Sequence, residues 1–168
     1  RQDNYLAAVA TGDGYGLALL DVSTGEFLGT HLYNKSSLYD ELQRYRPAEV
    51  LLAPELYEQT SFRESFGGRF PVMFTQKSFD ETARDVLVNQ LGSLPFTSEA
   101  VLRSASAVLN YALETQRGEL PQVTSFNVYD AGAYMHLDEI ALTTLEVFDT
   151  PMNTGKTLFS ILDETRTA

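Results

Sequence analysis

Two short turn sequences divide the first 32 residues into three apolar runs of similar length. The runs are Tyr5–Ala10, Tyr15–Val22 and Glu26–Leu32, and they are separated by Thr-Gly-Asp-Gly at 11–14 and Ser-Thr-Gly at 23–25. Connections this short join antiparallel neighbours, because a parallel connection needs a dozen or more residues. The sequence therefore predicts a three-stranded antiparallel meander, and this limits the fold to one built on a sheet.

The hydrophobic period then changes to that of a helix. Leu38, Leu42 and Tyr45 recur at spacings of four and three residues, and Ser37 gives a capping signal for this segment. Beyond it, apolar runs at 50–53 and 70–74 predict strands, and helical patterns are visible at 55–66, at 79–91 and from a cap at Thr97 or Ser98 to about Thr115. Helix–strand alternation after a meander predicts an α/β fold with a mixed sheet flanked by helices.

The chain changes in character after Gly118 and Pro121, which break the last strong helical pattern. Residues 1–122 carry 10 bases and 16 acids, whereas the 46 residues of 123–168 carry 2 bases and 7 acids. Those 46 residues hold two helical patterns, too little to close a core easily. We therefore predict one domain over 1–122 and the opening of a second, mainly helical domain over 123–168.

Composition limits the classes of partner and compartment. Twelve bases against 23 acids give a net charge of 12 − 23 = −11, and a negative field disfavours autonomous binding to nucleic acid. The chain has no cysteine, which removes disulfides and thiolate zinc sites, and this suits a cytoplasmic protein. No apolar run is long enough to cross a bilayer, and we therefore expect no membrane among the partners of this chain. Because the chain starts at Arg1 and stops at Ala168 within a helical pattern, we expect it to be a piece of a longer protein.

One acidic residue, Asp21, admits two interpretations. It follows an apolar run and precedes Val-Ser-Thr-Gly at 22–25. Nucleases with a ribonuclease-H-like sheet place a metal-binding Asp on a strand, but a two-metal site needs further carboxylates, and nothing in the sequence makes Glu49, Glu55 or Asp85 converge on it. Asp also forms turns by bonding to local backbone, which needs no distant partner. We favour the turn and keep a metal-dependent nuclease using Asp21 as the alternative.

No other residue pattern predicts chemistry. The two histidines, His31 and His136, are far apart in sequence and lack an evident third group for a metal site or a proton transfer. The run at 153–157 (Asn-Thr-Gly-Lys-Thr) lacks the earlier glycine of a phosphate loop. We therefore predict no catalytic, cofactor-binding or metal-binding residues in this chain, and no enzymatic activity of its own.

Several segments together resemble one family, the MutS family of DNA mismatch-recognition proteins. The segments match in the family's order and span 4–10, 15–27, 47–52, 111–121 and 157–168. The blocks at 21–27 and 157–168 are the most specific of these matches. The resemblance implies a ribonuclease-H-like connector domain over about 1–122 and a truncated start of the helical core, or lever, domain over 123–168.

The resemblance also implies a function. A connector domain of this family joins the mismatch-binding and ATPase ends of the full-length protein and helps to dock the MutL partner. ATP, Mg²⁺ and mismatched DNA would then belong to the full-length dimer and its other MutS domains, outside this chain. Within the chain, we predict an interdomain hinge at Gly118 and Pro121, about which the connector would move as a rigid body.

Overall fold

The computed structural model describes residues 4–67, 72–79 and 84–132. Within these ranges six strands and five helices follow one another along the chain. They are β1 Tyr5–Thr11, β2 Tyr15–Asp21, β3 Glu26–Leu32, α1 Lys35–Tyr45, β4 Glu49–Leu52, α2 Pro54–Tyr57, α3 Thr60–Gly67, β5 Met73–Gln76, α4 Arg84–Leu91, α5 Glu99–Thr115 and β6 Asn127–Val128.

The strands form one mixed sheet in the order β5-β4-β1-β2-β3-β6. β2 is antiparallel to both of its neighbours, β4 and β5 run parallel to β1, and β6 runs parallel to β3. The core order 3-2-1-4-5 with a reversed second strand is the ribonuclease-H-like arrangement. The predicted meander and the predicted α/β class are therefore confirmed, and β6 adds a sixth strand at one edge.

The strand directions give the sheet two distinct ends. At one end Tyr5 pairs with Asp21, and at the other Thr11 pairs with Tyr15. We call the end at Tyr5 the entry end, because β1 begins there, and the end at Thr11 the far end. A seven-residue strand separates the two ends by roughly 20 Å.

Helices cover both faces of the sheet, so its central strands are buried on both sides. On one face Ala7, Val9, Leu17 and Leu19 pack with residues of α1, α2 and α3, and on the other face α5, α4 and the chain after α5 cover Ala8, Ala18 and Leu20. Strands buried on both faces read as continuous apolar runs rather than as alternating ones. This accounts for Ala-Ala-Val-Ala and Leu-Ala-Leu-Leu in the two central strands.

Three local features differ from the sequence-based expectations. Asn34, not Ser37, caps α1, and its Oδ1 accepts a hydrogen bond of 2.8 Å from the Ser37 amide. The expected single helix at 55–66 is two helices, α2 and α3, and β5 spans Met73–Gln76, whereas the strand was expected at 70–74, of which 70 and 71 lie outside the described residues. Ser98 caps α5, as predicted.

The compact unit of the sheet ends at Gly132, ten residues beyond the predicted division at 122. Its last part includes β6, and Val123, Phe126 and Ala131 are buried. A run of ten residues with three core side chains and a strand in the sheet packs as part of the first unit. The predicted lever-domain start is thus left with residues 133–168, which lie outside the described residues, and it stays a prediction.

Candidate functional site

Asp21 ends β2 at the entry end, and its side chain stabilises the turn that follows. Its side chain is buried, and Oδ1 accepts hydrogen bonds from the Ser23 amide at 3.0 Å and from the Ser23 hydroxyl at 2.6 Å. The Gly25 amide closes the turn on the Asp21 carbonyl at 2.7 Å. The carboxylate therefore holds the β2–β3 connection, which is the turn interpretation made from the sequence.

The other acidic candidates do not join Asp21 in a metal site. Glu49 Oε2 accepts hydrogen bonds from the Thr75 hydroxyl at 2.6 Å and from the Tyr111 hydroxyl at 3.0 Å. Burial first, and then this bond to Glu49, raise the pKa of Tyr111. Across the parts of the chain that the structure describes, no three His, Asp or Glu side chains gather where they could hold a metal ion.

The feature of the described fold that most concerns function is the chain after α5, residues 119–132, which we call the return segment. It leaves α5 at the entry end, where the Gln122 side-chain amide donates to the Val22 carbonyl at 2.5 Å. It then runs along the sheet edge, with Asn127 opposite Leu28 and Val128 opposite Gly29. Because β6 is parallel to β3, the segment ends near the far end of the sheet.

The first half of the return segment, residues 119–126, is held in place by burial and by one glutamine side chain; we call it the lower half. Leu120 and Val123 are buried, and the Gln90 side-chain amide donates to both of their carbonyl oxygens at 2.8 Å. The Phe126 ring packs on the Phe27 ring with centroids 4.5 Å apart. These contacts make the first half of the segment a part of the core.

The second half, residues 127–132, is the upper half. It is held mainly by side chains, because the ladder between β3 and β6 has only two residue pairs. The buried hydroxyl of Thr30 donates to the Tyr129 carbonyl at 2.8 Å and accepts from the Ala131 amide at 3.3 Å. The Tyr129 amide donates to the Gly29 carbonyl at 2.9 Å. One hydroxyl on β3 thus satisfies two backbone groups of the return segment.

A buried carboxylate on α1 provides the second anchor. Glu41 is 1 % exposed, and its Oε1 accepts a 2.7 Å hydrogen bond from the Tyr129 hydroxyl. Arg44 lies 3.5 Å away from its other oxygen. A buried charge is costly without partners, so this arrangement ties the return segment to α1. Burial first, and then the hydrogen bond and charge of Glu41, raise the pKa of Tyr129.

This raised pKa predicts an alkaline loss of stability. Above about pH 10 the unfolded chain loses the Tyr129 proton while the folded chain keeps it, so the unfolded state binds fewer protons. The contribution of Tyr129 is therefore complete below about pH 10 and falls by up to about 1.4 kcal/mol per pH unit above it. In urea titrations, the difference in unfolding free energy between wild type and Tyr129→Phe should shrink between about pH 9 and pH 11. A difference that stays constant over this range contradicts the prediction.

Gly118 and Pro121, the predicted hinge, lie within the compact unit rather than at its boundary. Gly118 adopts a left-handed conformation after α5 (φ +93°), and its amide donates to the Leu113 carbonyl at 2.7 Å. Leu120, between the two, is buried. Bending at Gly118 and Pro121 would have to break contacts on both sides of Pro121. The hinge stays a prediction.

His31 has a structural role at the far end. Its Nε2 lies 2.8 Å from the Asp13 carbonyl and its Nδ1 lies 2.9 Å from the Ser98 hydroxyl. Since a carbonyl only accepts, Nε2 carries a proton and donates to it. The imidazole therefore joins β3 to the first turn and to the cap of α5. His136 lies outside the described residues.

Several large apolar side chains are exposed in the described part of the chain. Phe96, in the loop between α4 and α5, is fully exposed, and Val88 on α4 is 41 % exposed. Tyr33 follows β3, and Met73 lies on the edge strand β5. Single exposed apolar side chains are common on protein surfaces, and a contiguous patch of them marks a surface that a partner can cover. In the described ranges, no helix combines the length and the apolar character needed to cross a bilayer.

Sequence reasoning missed Glu41, Tyr129 and Thr30. The signal for Glu41 was present, since it lies on the apolar face of α1 between Leu38 and Leu42. A carboxylate on such a face needs a buried partner. The partner, Tyr129, is 88 residues away, and no local pattern points to it.

Comparison with known proteins agrees with this geometry. Residues 4–124 match the family model described as MutS domain II. The chain is 53 % identical, over all 168 residues, to the DNA mismatch repair protein MutS of Thermus aquaticus, of which it covers 19 %. It is 36 % identical over 180 aligned residues to the MutS protein of Natronomonas pharaonis, covering 99 % of this chain and 20 % of that protein. The chain thus spans about a fifth of the length of these relatives.

Among solved structures, the chain is similar to RuvC of Thermus thermophilus in complex with Holliday junction substrate. The TM-score is 0.44 and the sequence identity 16 %, over 68 % of this chain and 96 % of that one. A TM-score this low supports no functional inference.

Proposed function

Since the chain belongs to the MutS family and its residues 4–124 match domain II, we propose that it is a non-catalytic connector that couples the mismatch-binding and ATPase domains of a full-length mismatch-repair protein. One observation carries the proposal. The described chain enters the sheet at Tyr5, at the entry end, whereas β6 runs along β3 away from that end and the chain then continues to Gly132. A rigid sheet placed between two attachment points transmits a displacement from one to the other.

The packing of the sheet supports such a mechanical role. Its central strands are covered on both faces, and α5 crosses β1, β2 and β3. Close-packed interiors transmit strain because they have few voids. A displacement applied at the entry end would therefore move the far end with it, rather than be absorbed within the sheet.

The proposed coupling places the cofactors of the full-length protein outside this chain. Where the structure describes the chain, no acidic or histidine cluster is suited to Mg²⁺. Asp21, the one residue for which a nuclease role was considered, is engaged with Ser23. ATP and Mg²⁺ would bind in other domains of the full-length protein, and no step of the proposed coupling uses them here.

We also propose that the connector docks the MutL partner through the exposed apolar side chains Val88 on α4 and Phe96 in the α4–α5 loop. Phe96 is a fully exposed aromatic ring, and aromatic side chains dominate the binding energy of protein interfaces. The exposed ion pair between Arg84 on α4 and Glu99 on α5 joins the helices on either side of this loop, and it would supply polar groups of the kind found at an interface rim.

Calorimetry of the full-length protein, loaded with ATP and mismatched DNA, tests this docking against the N-terminal region of MutL. Wild type should bind saturably, and Phe96→Ser should weaken binding by about tenfold or more, because losing an anchor ring costs at least ~1.4 kcal/mol. Met73→Ser is the matched control, since Met73 is also exposed but lies on the edge strand β5. Absence of binding by wild type, or equal affinity of Phe96→Ser and Met73→Ser, would refute the docking proposal.

A further inference from the structure

We infer that the return segment, residues 119–132, is a strap whose upper half is locked to the sheet by Thr30 and Glu41, and that this lock fixes where the chain leaves the connector. The inference rests on the proposed coupling function and names the residues that make the coupling rigid. The hydrogen bonds of this lock are made by two hydroxyl groups, that of Thr30 and that of Tyr129.

The strap determines which end of the sheet the chain leaves from. α5 runs back to the entry end, where Gln122 contacts the turn at Val22. Without the strap, the chain would leave at the same end at which it enters, and the sheet would span no distance between its two attachments. With the strap, the described chain reaches Gly132 near the far end.

The two halves of the strap are held by different forces. Val123 and Phe126, in the lower half, are buried in the core, whereas in the upper half Asn127, Val128 and Asp130 are exposed, Tyr129 is partly buried and Ala131 is buried. A ladder of two residue pairs is too short to hold a strand by itself. The attachment of the upper half therefore depends on its side-chain hydrogen bonds, together with the burial of Ala131 and the backbone bond from Tyr129 to Gly29.

Thr30 is the central element of the lock. Its hydroxyl is fully buried, donates to the Tyr129 carbonyl and accepts from the Ala131 amide. Replacing the hydroxyl with a methyl group would leave both backbone groups without this partner, whereas the side-chain volume would stay nearly the same. Thr30→Val should therefore open residues 127–132 locally while Val123 and Phe126 keep the lower half in place.

The test combines hydrogen exchange with ATP turnover in the full-length protein. In Thr30→Val, peptides covering 127–132 should exchange about thirtyfold faster, as expected when two hydrogen bonds are lost, and peptides of β1 and β2 should keep their rates. Thr75→Val is the matched control, because it removes one part-buried hydroxyl contact at the opposite edge of the sheet. It should leave the exchange of 127–132 unchanged.

The same variants separate the lock from the proposed function. Thr30→Val should reduce severalfold the stimulation of ATP turnover by mismatched over matched DNA, whereas Thr75→Val should keep it. Unchanged exchange at 127–132 in Thr30→Val, or equally faster exchange across the whole sheet, overturns the lock. Faster exchange at 127–132 with full stimulation overturns its part in coupling. A wild-type protein without any stimulation by mismatched DNA overturns the proposed function, whatever the exchange rates.

Discussion

Replacing Gly16 with alanine should destabilise the chain by about 3 kcal/mol or more, because α5 lies directly on β2 at this residue. A methyl group on Gly16 would lie 2.2 Å from the Ala100 carbonyl carbon, 2.3 Å from its oxygen and 2.5 Å from the Val101 amide nitrogen. All three atoms are backbone, so no rotamer change relieves the overlap. The Ser104 hydroxyl adds to the contact by donating to the Gly16 carbonyl at 2.7 Å.

Urea denaturation of the chain measures this effect, with Gly132→Ala as the control. Neither glycine has a positive φ, and among the described residues the added methyl at Gly132 would meet a side-chain oxygen, Oδ1 of Asp130, at 3.3 Å rather than backbone. The control should change the free energy of unfolding by less than about 0.5 kcal/mol. Shortening Ala100 to glycine should not rescue Gly16→Ala, since the side chain of Ala100 is not what the methyl group meets. Equal stabilities of Gly16→Ala and Gly132→Ala would refute the close contact.

The first half of the fold was predictable because its information is local. The turns at 11–14 and 23–25 and the apolar runs around them specify the meander without distant contacts. The start of α1 shows the limit of such reasoning. Asn34 and Ser37 are both good capping residues, and only the structure shows that the side chain of Asn34 accepts from the amide of Ser37.

The strap was not predictable as a part of this sheet. β6 has two residues, both exposed, so it has neither the alternation nor the length that identifies a strand. Its anchor residue, Thr30, bonds to a carbonyl 99 residues away. The change in composition after Pro121 therefore suggested a domain boundary at 122, although the chain continues in the first compact unit to Gly132.

Asp21 shows why the site, too, could be predicted only in part. The sequence suggested either a turn or a metal-binding carboxylate, and the difference depends on whether other acids reach it. Glu49 bonds instead to Thr75 and Tyr111. Such distant pairings are set by tertiary packing, which has no signature in the residues next to Asp21.

The lower attachment of the strap leads to the second large expected effect, at Gly25. Gly25 has a φ of +85°, and a methyl group there would lie 2.1 Å from the Gln122 carbonyl oxygen and 2.8 Å from its carbon. Gly92 has nearly the same φ, +86°, but no atom of the described part of the chain lies within 4 Å of its added methyl. Both alanine variants would carry the left-handed strain of about 1–2 kcal/mol, and only Gly25→Ala would also push the backbone of the strap away.

The difference between the two variants therefore isolates the contact between the β2–β3 turn and the strap. In urea titrations, Gly25→Ala should be less stable than Gly92→Ala by at least about 2 kcal/mol, because the overlap is with backbone that a side-chain rotation cannot relieve. Hydrogen exchange should become faster at 119–125 in Gly25→Ala and stay unchanged there in Gly92→Ala. If the two variants were equally stable, the strap would not be in close contact with this turn at Gly25, and its attachment at the entry end would rest on other contacts, such as the burial of Leu120 and Val123.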